Sequence, residues 1–171
     1  EGAGATLKNI WQIAPGRADE PGTLYCGVEP AALFRSTDLG KSWSVVRGLL
    51  DHPHRERWTP GGGGLCLHTI VRDPGNADRM WIAISSGGVY RTDDGGRTWA
   101  ARNKGIRAEF MPDKYPEFGQ CVHKVARDAS DPLARADAEM RARAAAAAAV
   151  RAHAEARMRA EAEEGARTLV E

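Results

Sequence analysis

Apolar and polar positions along the chain arrange themselves in short runs separated by turn-forming residues. Leu24-Tyr25-Cys26-Gly27-Val28 and Met80-Trp81-Ile82-Ala83-Ile84 are brief, apolar and partly β-branched or aromatic, which predicts strands. Turn-rich stretches follow them: Glu29-Pro30-Ala31-Ala32 in one case and Ser85-Ser86-Gly87-Gly88 in the other. Second strands are predicted at Leu33-Phe34-Arg35 and Val89-Tyr90-Arg91, then a polar tight turn, then a strand opening at Trp43 or Trp99. Leu67-His68-Thr69-Ile70-Val71 supplies a further strand upstream of the second set. Beyond Asp131-Pro132 the pattern changes to a run of helix formers.

The two sets are copies. At an offset of 56 residues, Leu24 to Trp43 falls on Met80 to Trp99 without a gap, and Arg35, Asp38, Gly40 and Trp43 meet identical residues. Four short strands per unit predict one blade of a β-propeller, with the segment from Leu50 to Gly64 lengthening the spacing. A third unit begins at Cys121-Val122-His123-Lys124-Val125-Ala126-Arg127-Asp128, which repeats Cys66 to Asp73. It stops there, because the segment from Arg135 to Glu139 does not resemble the strand at Met80 to Ile84.

The turns read Ser36-Thr37-Asp38-Leu39-Gly40-Lys41-Ser42-Trp43 and Thr92-Asp93-Asp94-Gly95-Gly96-Arg97-Thr98-Trp99. Both fit S/T-x-D-x-G-x-S/T-W. An Asp carboxylate here can accept backbone N–H bonds across the turn, the Gly permits a positive φ, and the Trp packs beneath. The motif resembles the Asp-box, or bacterial neuraminidase repeat, of sialidase-like β-propellers, including bacterial proteins described as exo-sialidases or glycosyl hydrolases. The resemblance covers about residues 10–131. It implies that Ser36, Asp38, Gly40, Trp43, Thr92, Asp94, Gly96 and Trp99 are structural and lie away from any active face. The Phe/Tyr-Arg-Ile-Pro segment that carries the first substrate arginine of sialidases does not occur, and Arg35 and Arg91 sit at matched repeat positions.

Charge adds little: 24 Lys and Arg balance 23 Asp and Glu, so nucleic acid is not an expected partner. No apolar run has the length of a membrane span, and no membrane partner is expected. Cys26, Cys66 and Cys121 form no C-x-x-C, which favours reduced thiols and a cytoplasmic setting. The absence of an initiator Met predicts a fragment. Every aromatic residue precedes the boundary near 131, so residues 1–131 are expected as incomplete propeller blades and 132–171 as an Ala/Arg/Glu-rich helical tail. Asp131 would cap that helix and Gly165 would end it. A shifted reading frame in GC-rich DNA would give this bias, with late fusion as the rival.

Candidate chemistry lies in the loops. Glu29, Asp113, Tyr115 and Glu117 are candidate catalytic residues, since paired carboxylates can serve as acid and base at a glycosidic bond. His52, His54, Arg55, Arg57 and Trp58 are candidate ligand-binding residues, polar and aromatic on one long loop. Cys66 and His68, like Cys121 and His123, stand two apart in predicted strands and would share a face. The His and Cys spacings match no zinc site, so no metal and no cofactor is expected. The Gly61 to Gly64 run lacks the Lys-Ser/Thr of a phosphate loop.

The expectation is therefore an all-β fold: a partial β-propeller of two Asp-box blades and the start of a third, with a C-terminal α-helical tail. The function it implies is that of a truncated sialidase-superfamily propeller. The intact form would be glycan-directed, by glycosidase-like hydrolysis or by binding, and the fragment inactive. The alternative is a non-catalytic propeller scaffold for protein binding or assembly. A glycan or a protein is the expected partner, and the open blade edge is expected to self-associate.

Overall fold

The computed structural model describes residues 6–128. The helical tail expected over 132–171, with its caps at Asp131 and Gly165, lies outside the described residues.

Among the described residues, eight strands form two four-stranded antiparallel sheets, each with its strands in chain order. The first sheet holds β1 (Asn9–Pro15), β2 (Leu24–Glu29), β3 (Ala32–Ser36) and β4 (Ser44–Val45). A short helix, α1 (Arg47–Leu50), and a 3-10 turn at Arg55–Arg57 occupy the long connection. The second sheet holds β5 (Leu67–Arg72), β6 (Met80–Ile84), β7 (Gly88–Thr92) and β8 (Ala100–Ala101). Among the described residues no strand pairing joins the two sheets, and no ring of blades closes.

Hydrophobic alternation sets the faces. Tyr25 and Leu33 point to one side of the first sheet, while Cys26, paired with Phe34, and Val28 point to the other. In the second sheet Ile82 pairs with both Ile70 and Tyr90 on one face, and Trp81 and Val89 occupy the opposite face. The core forms where Ala14, Tyr25 and Leu33 of the first sheet meet Leu67, Ile70, Ile82, Ile84 and Tyr90 of the second. Gly27 permits the close approach. A Cβ there would lie 2.6 Å from both the carbonyl oxygen and a methyl of Leu67. At the rim, Arg17 Nη1 donates to the carbonyls of Asp73 (3.0 Å) and Pro74 (2.7 Å). Arg72 pairs with Glu20 at 2.7 Å, fastening the β1–β2 connection to the second sheet.

Two details differ from the sequence expectation. β1 was not among the predicted strands. Its residues align with β5 only after a one-residue change of register, since the β1–β2 connection is one residue longer than the β5–β6 connection. The first strand of each sheet also carries a bulge, at Trp11 and at His68. The second difference is the third unit: residues 121–128 form no strand. An antiparallel ladder needs a partner, and none follows among the described residues. The segment lies along β5 instead, where the Thr69 hydroxyl donates to the His123 carbonyl at 2.7 Å.

Candidate functional site

The two tight turns have the same internal wiring. Asp38 Oδ1 accepts the Ser42 N–H (2.9 Å) and the Ser36 hydroxyl (2.7 Å), while Oδ2 accepts the Ser42 hydroxyl (2.6 Å). Asp94 accepts from Thr98 N–H (2.9 Å), the Thr92 hydroxyl (2.8 Å) and the Thr98 hydroxyl (2.6 Å). Trp43 Nε1–H donates to Gly40 and Trp99 Nε1–H to Gly96. Gly40 and Gly96 hold φ of 85° and 94°, where a side chain would be strained. Hydrogen bonds, foremost from the Ser42 hydroxyl, lower the Asp38 pKa to about 2, and those from Thr98 do the same for Asp94. Each carboxylate is consumed by its own turn, which leaves it poorly suited to proton transfer.

The chemistry converges elsewhere. Arg57 from the first long loop and Asp113, Glu117 and Phe118 from the second line one cavity of about 390 Å³, together with Met111 and Pro116. Behind it lies a buried aromatic cluster around Tyr90, which has no solvent exposure. Trp58 Nε1–H donates to the Tyr90 hydroxyl at 3.0 Å, and that hydroxyl shares a 3.0 Å hydrogen bond with His54 Nδ1. Because Trp58 can only donate, the hydroxyl proton is free to point at Nδ1. The opposite nitrogen, Nε2, then faces Glu117 Oε1 at 3.8 Å. His54 stacks on Phe118 at 4.1 Å, and the Arg57 guanidinium lies 4.5 Å from the same ring centre.

His52 stands one layer deeper. Its Nε2 meets the Trp99 carbonyl at 3.1 Å, and its Nδ1 accepts the His54 N–H at 3.1 Å, so Nε2 carries the proton. Burial lowers its pKa, with His54 adding to the effect. Burial also raises the Tyr90 pKa, so that hydroxyl stays protonated.

The second loop is anchored by a residue the sequence did not single out. Asn103 is buried; its Oδ1 accepts the Val89 N–H (2.7 Å) and its Nδ2 donates to the Glu117 carbonyl (2.9 Å). Gly119 N–H bonds the Gly87 carbonyl at 3.0 Å. Tyr90 was also missed, and it had a signal: it stands where the first repeat has Phe34, so its hydroxyl is a departure from the repeat. Asp113 Oδ1 accepts the Tyr115 N–H at 2.9 Å, which shapes the loop, while Tyr115 itself is 60% exposed and does not line the cavity.

Not every candidate joins this cavity. Glu29 and Arg55 line a different one of about 250 Å³, walled by Leu7, Val28, Pro30 and Phe34 among others. Glu29 accepts from Asn9 Nδ2 at 3.0 Å, and Arg55 lies over Trp58, 5.4 Å from the ring centre. Cys66 lies just before β5, and His68 sits at its bulge. The bulge aligns three rings from successive units. Trp11 meets His68 at 4.5 Å, and His68 stacks on His123 at 4.4 Å. Cys121 Sγ lies 3.2 Å from His123 Nε2. Among the described residues no group of three or more His, Cys, Asp or Glu side chains is arranged to hold a metal ion. Likewise, no helix of the described residues is long and apolar enough to cross a membrane.

No family model matches the chain. Among curated proteins it is similar to a probable oligoxyloglucan-reducing end-specific xyloglucanase of Neosartorya fischeri, with 28% identity over 81 residues. The match takes in 47% of this chain and 9% of the fungal protein, so the chain corresponds to a small part of that relative. The likeness is thus to a glycosidase, and to one outside the sialidases.

Proposed function

We propose that this chain is a repeat section of a glycan-directed β-propeller protein and that the Arg57–Asp113–Glu117 cavity is its sugar-binding site. The observation that carries this reading is the meeting of two long loops, from different parts of the chain, in one cavity that brings three charged side chains onto an apolar lining backed by aromatic rings. Carboxylates and a guanidinium bind pairs of sugar hydroxyls with charge-assisted hydrogen bonds, while apolar walls cover the C–H faces. The exposed rings of Phe110 and Tyr115, on the same loop, extend the surface available for stacking.

Charge separates the two kinds of glycan. Two carboxylates face one guanidinium in this cavity, which disfavours a sugar bearing its own carboxylate. A neutral β-glucan such as a xyloglucan oligosaccharide is therefore the better ligand, in keeping with the similarity to the xyloglucanase. In the intact protein Glu117 would be the acid or base, with His54 orienting it from within the fold.

The test is calorimetric titration of the full chain with a xyloglucan oligosaccharide and, separately, with sialyllactose. Binding of the first, weakened about tenfold by Glu117→Gln or Arg57→Ala, is the expected result. Binding of sialyllactose alone would return the reading to a sialidase-like site, and binding of neither would refute it.

A further inference from the structure

The Tyr90 ring belongs to the core between the sheets, and at its place the first repeat has Phe34. Packing there requires a ring and no oxygen. A buried hydroxyl is destabilising unless it is hydrogen-bonded, so the oxygen that distinguishes the second repeat needs partners of its own. It has two, both from the long connection ahead of the second sheet: the Trp58 indole and the His54 imidazole, each at 3.0 Å.

The two ends of this line of contacts set its direction. Trp58 Nε1–H can only donate, so it takes one lone pair of the Tyr90 oxygen and leaves the hydroxyl proton for His54 Nδ1. Burial raises the Tyr90 pKa, which keeps that proton on the oxygen. A carboxylate can only accept, and Glu117 Oε1 stands 3.8 Å from His54 Nε2. Between a donor and an acceptor the protons have one consistent arrangement, on the Tyr90 oxygen and on His54 Nε2. A proton on Nδ1 instead would displace the hydroxyl proton and turn a bare Nε2 lone pair toward the Glu117 carboxylate. The other groups around His54 leave this order undisturbed. His52 is engaged by the His54 backbone N–H and the Trp99 carbonyl, and the Arg57 guanidinium is set over the Phe118 ring that stacks on His54.

The end of the line is the group that most needs restraint. The Glu117 backbone is tied to the fold through Asn103 Nδ2 at 2.9 Å, yet its side chain is 72% exposed. We propose that Tyr90 is a positioning residue for the cavity: its hydroxyl fixes His54 as the Nε2–H tautomer, and that N–H holds the Glu117 carboxylate as an acceptor for a ligand hydroxyl. Tyr90 does not line the cavity and acts only through His54. The ligand step rests on the sugar-binding reading above, whereas the tautomer and its hold on Glu117 do not. Within that reading Glu117 is the base rather than the acid.

Nitrogen NMR of the full chain with isotope-labelled histidine, at about pH 8 where the imidazoles are neutral, reads the tautomer, and His54→Gln identifies the signals. Calorimetry with a xyloglucan oligosaccharide reads the ligand. The wild type is expected to show His54 in the Nε2–H form alone, and Glu117→Gln to move its Nε2 signal with no sugar present. Tyr90→Phe keeps the core ring; it is expected to give a mixture of both tautomers and to weaken sugar binding about threefold to tenfold, at a temperature where the variant is folded. Ser36→Ala, which removes hydrogen bonds of the first tight turn, is expected to lower stability with neither change. A wild-type His54 with its proton on Nδ1, or shared between both nitrogens, overturns the proposal. So does a Tyr90→Phe variant that keeps the wild-type tautomer, whatever its affinity, because the hydroxyl would then be merely structural, and so does one that binds sugar as tightly as the wild type. If the wild type binds no oligosaccharide, the sugar-binding reading fails; the hold on Glu117 is then judged from the sugar-free signal, and an unmoved Nε2 in Glu117→Gln overturns it.

Discussion

Trp43 and Trp99 close the same eight-residue turn, make the same hydrogen bond to the same glycine position, and differ in one respect. Trp99 is 6% exposed and Trp43 is 37% exposed. The turn therefore forms from its own residues, through the Asp carboxylate and its Ser or Thr neighbours, whatever lies beside it. What the tryptophan contributes to stability is decided by the neighbouring sheet. Local motif and tertiary burial are separable here, and the two copies act as an internal control for one another.

The largest test of that separation is truncation of each ring. Trp99→Ala is expected to cost about 3–5 kcal/mol in chemical denaturation, the range for a buried aromatic, and Trp43→Ala about 1–2 kcal/mol. Equal losses would show that the turn, and not burial, sets the energy. A sharper comparison is Tyr90 with its counterpart Phe34. Tyr90→Phe leaves the Trp58 N–H without its buried acceptor and His54 Nδ1 without its partner, and should lower stability by about 1–3 kcal/mol. Phe34→Tyr, on the open face, should change it by less than about 0.5 kcal/mol.

Acid should resolve the smallest effects in two stages. His52 and His68 have pKa values lowered chiefly by burial, with His54 and His123 adding repulsion. Each therefore contributes stability that is full above its unfolded pKa of about 6.5 and is lost as pH falls through its folded value. Asp38 and Asp94, lowered to about 2, contribute above about pH 4 and lose that contribution on the way down to pH 2. Thermal unfolding followed from pH 8 to pH 2 should show both declines. His52→Gln should shrink the upper one and Asp94→Ala the lower.

The strands β2, β3, β6 and β7 were legible because their apolar runs repeat in one ungapped register, and that redundancy substitutes for an alignment. β1 escaped because one extra residue in the following loop and a bulge at Trp11 both break that register. Residues 121–128 misled in the opposite way: they copy the apolar pattern of β5, yet a strand depends on its partner and not on its own sequence. For the site, loop length and composition pointed to Arg57, Asp113 and Glu117, which do share a cavity. The same criteria also picked Glu29 and Arg55, which line another. Asn103 and Tyr90 matter through buried hydrogen bonds made across the fold, and nothing in a linear sequence announces those partners.

Gly27 makes the two repeats unequal. Its counterpart in the second repeat is Ala83, fully enclosed. Were the second repeat copied into the place of the first, the alanine methyl would arrive 2.6 Å from the carbonyl oxygen of Leu67, closer than two such atoms settle. The neighbouring strand would have to retreat. The repeats share a pattern but cannot trade places, because the first has glycine where the second has alanine, and only the glycine lets the next sheet sit against it.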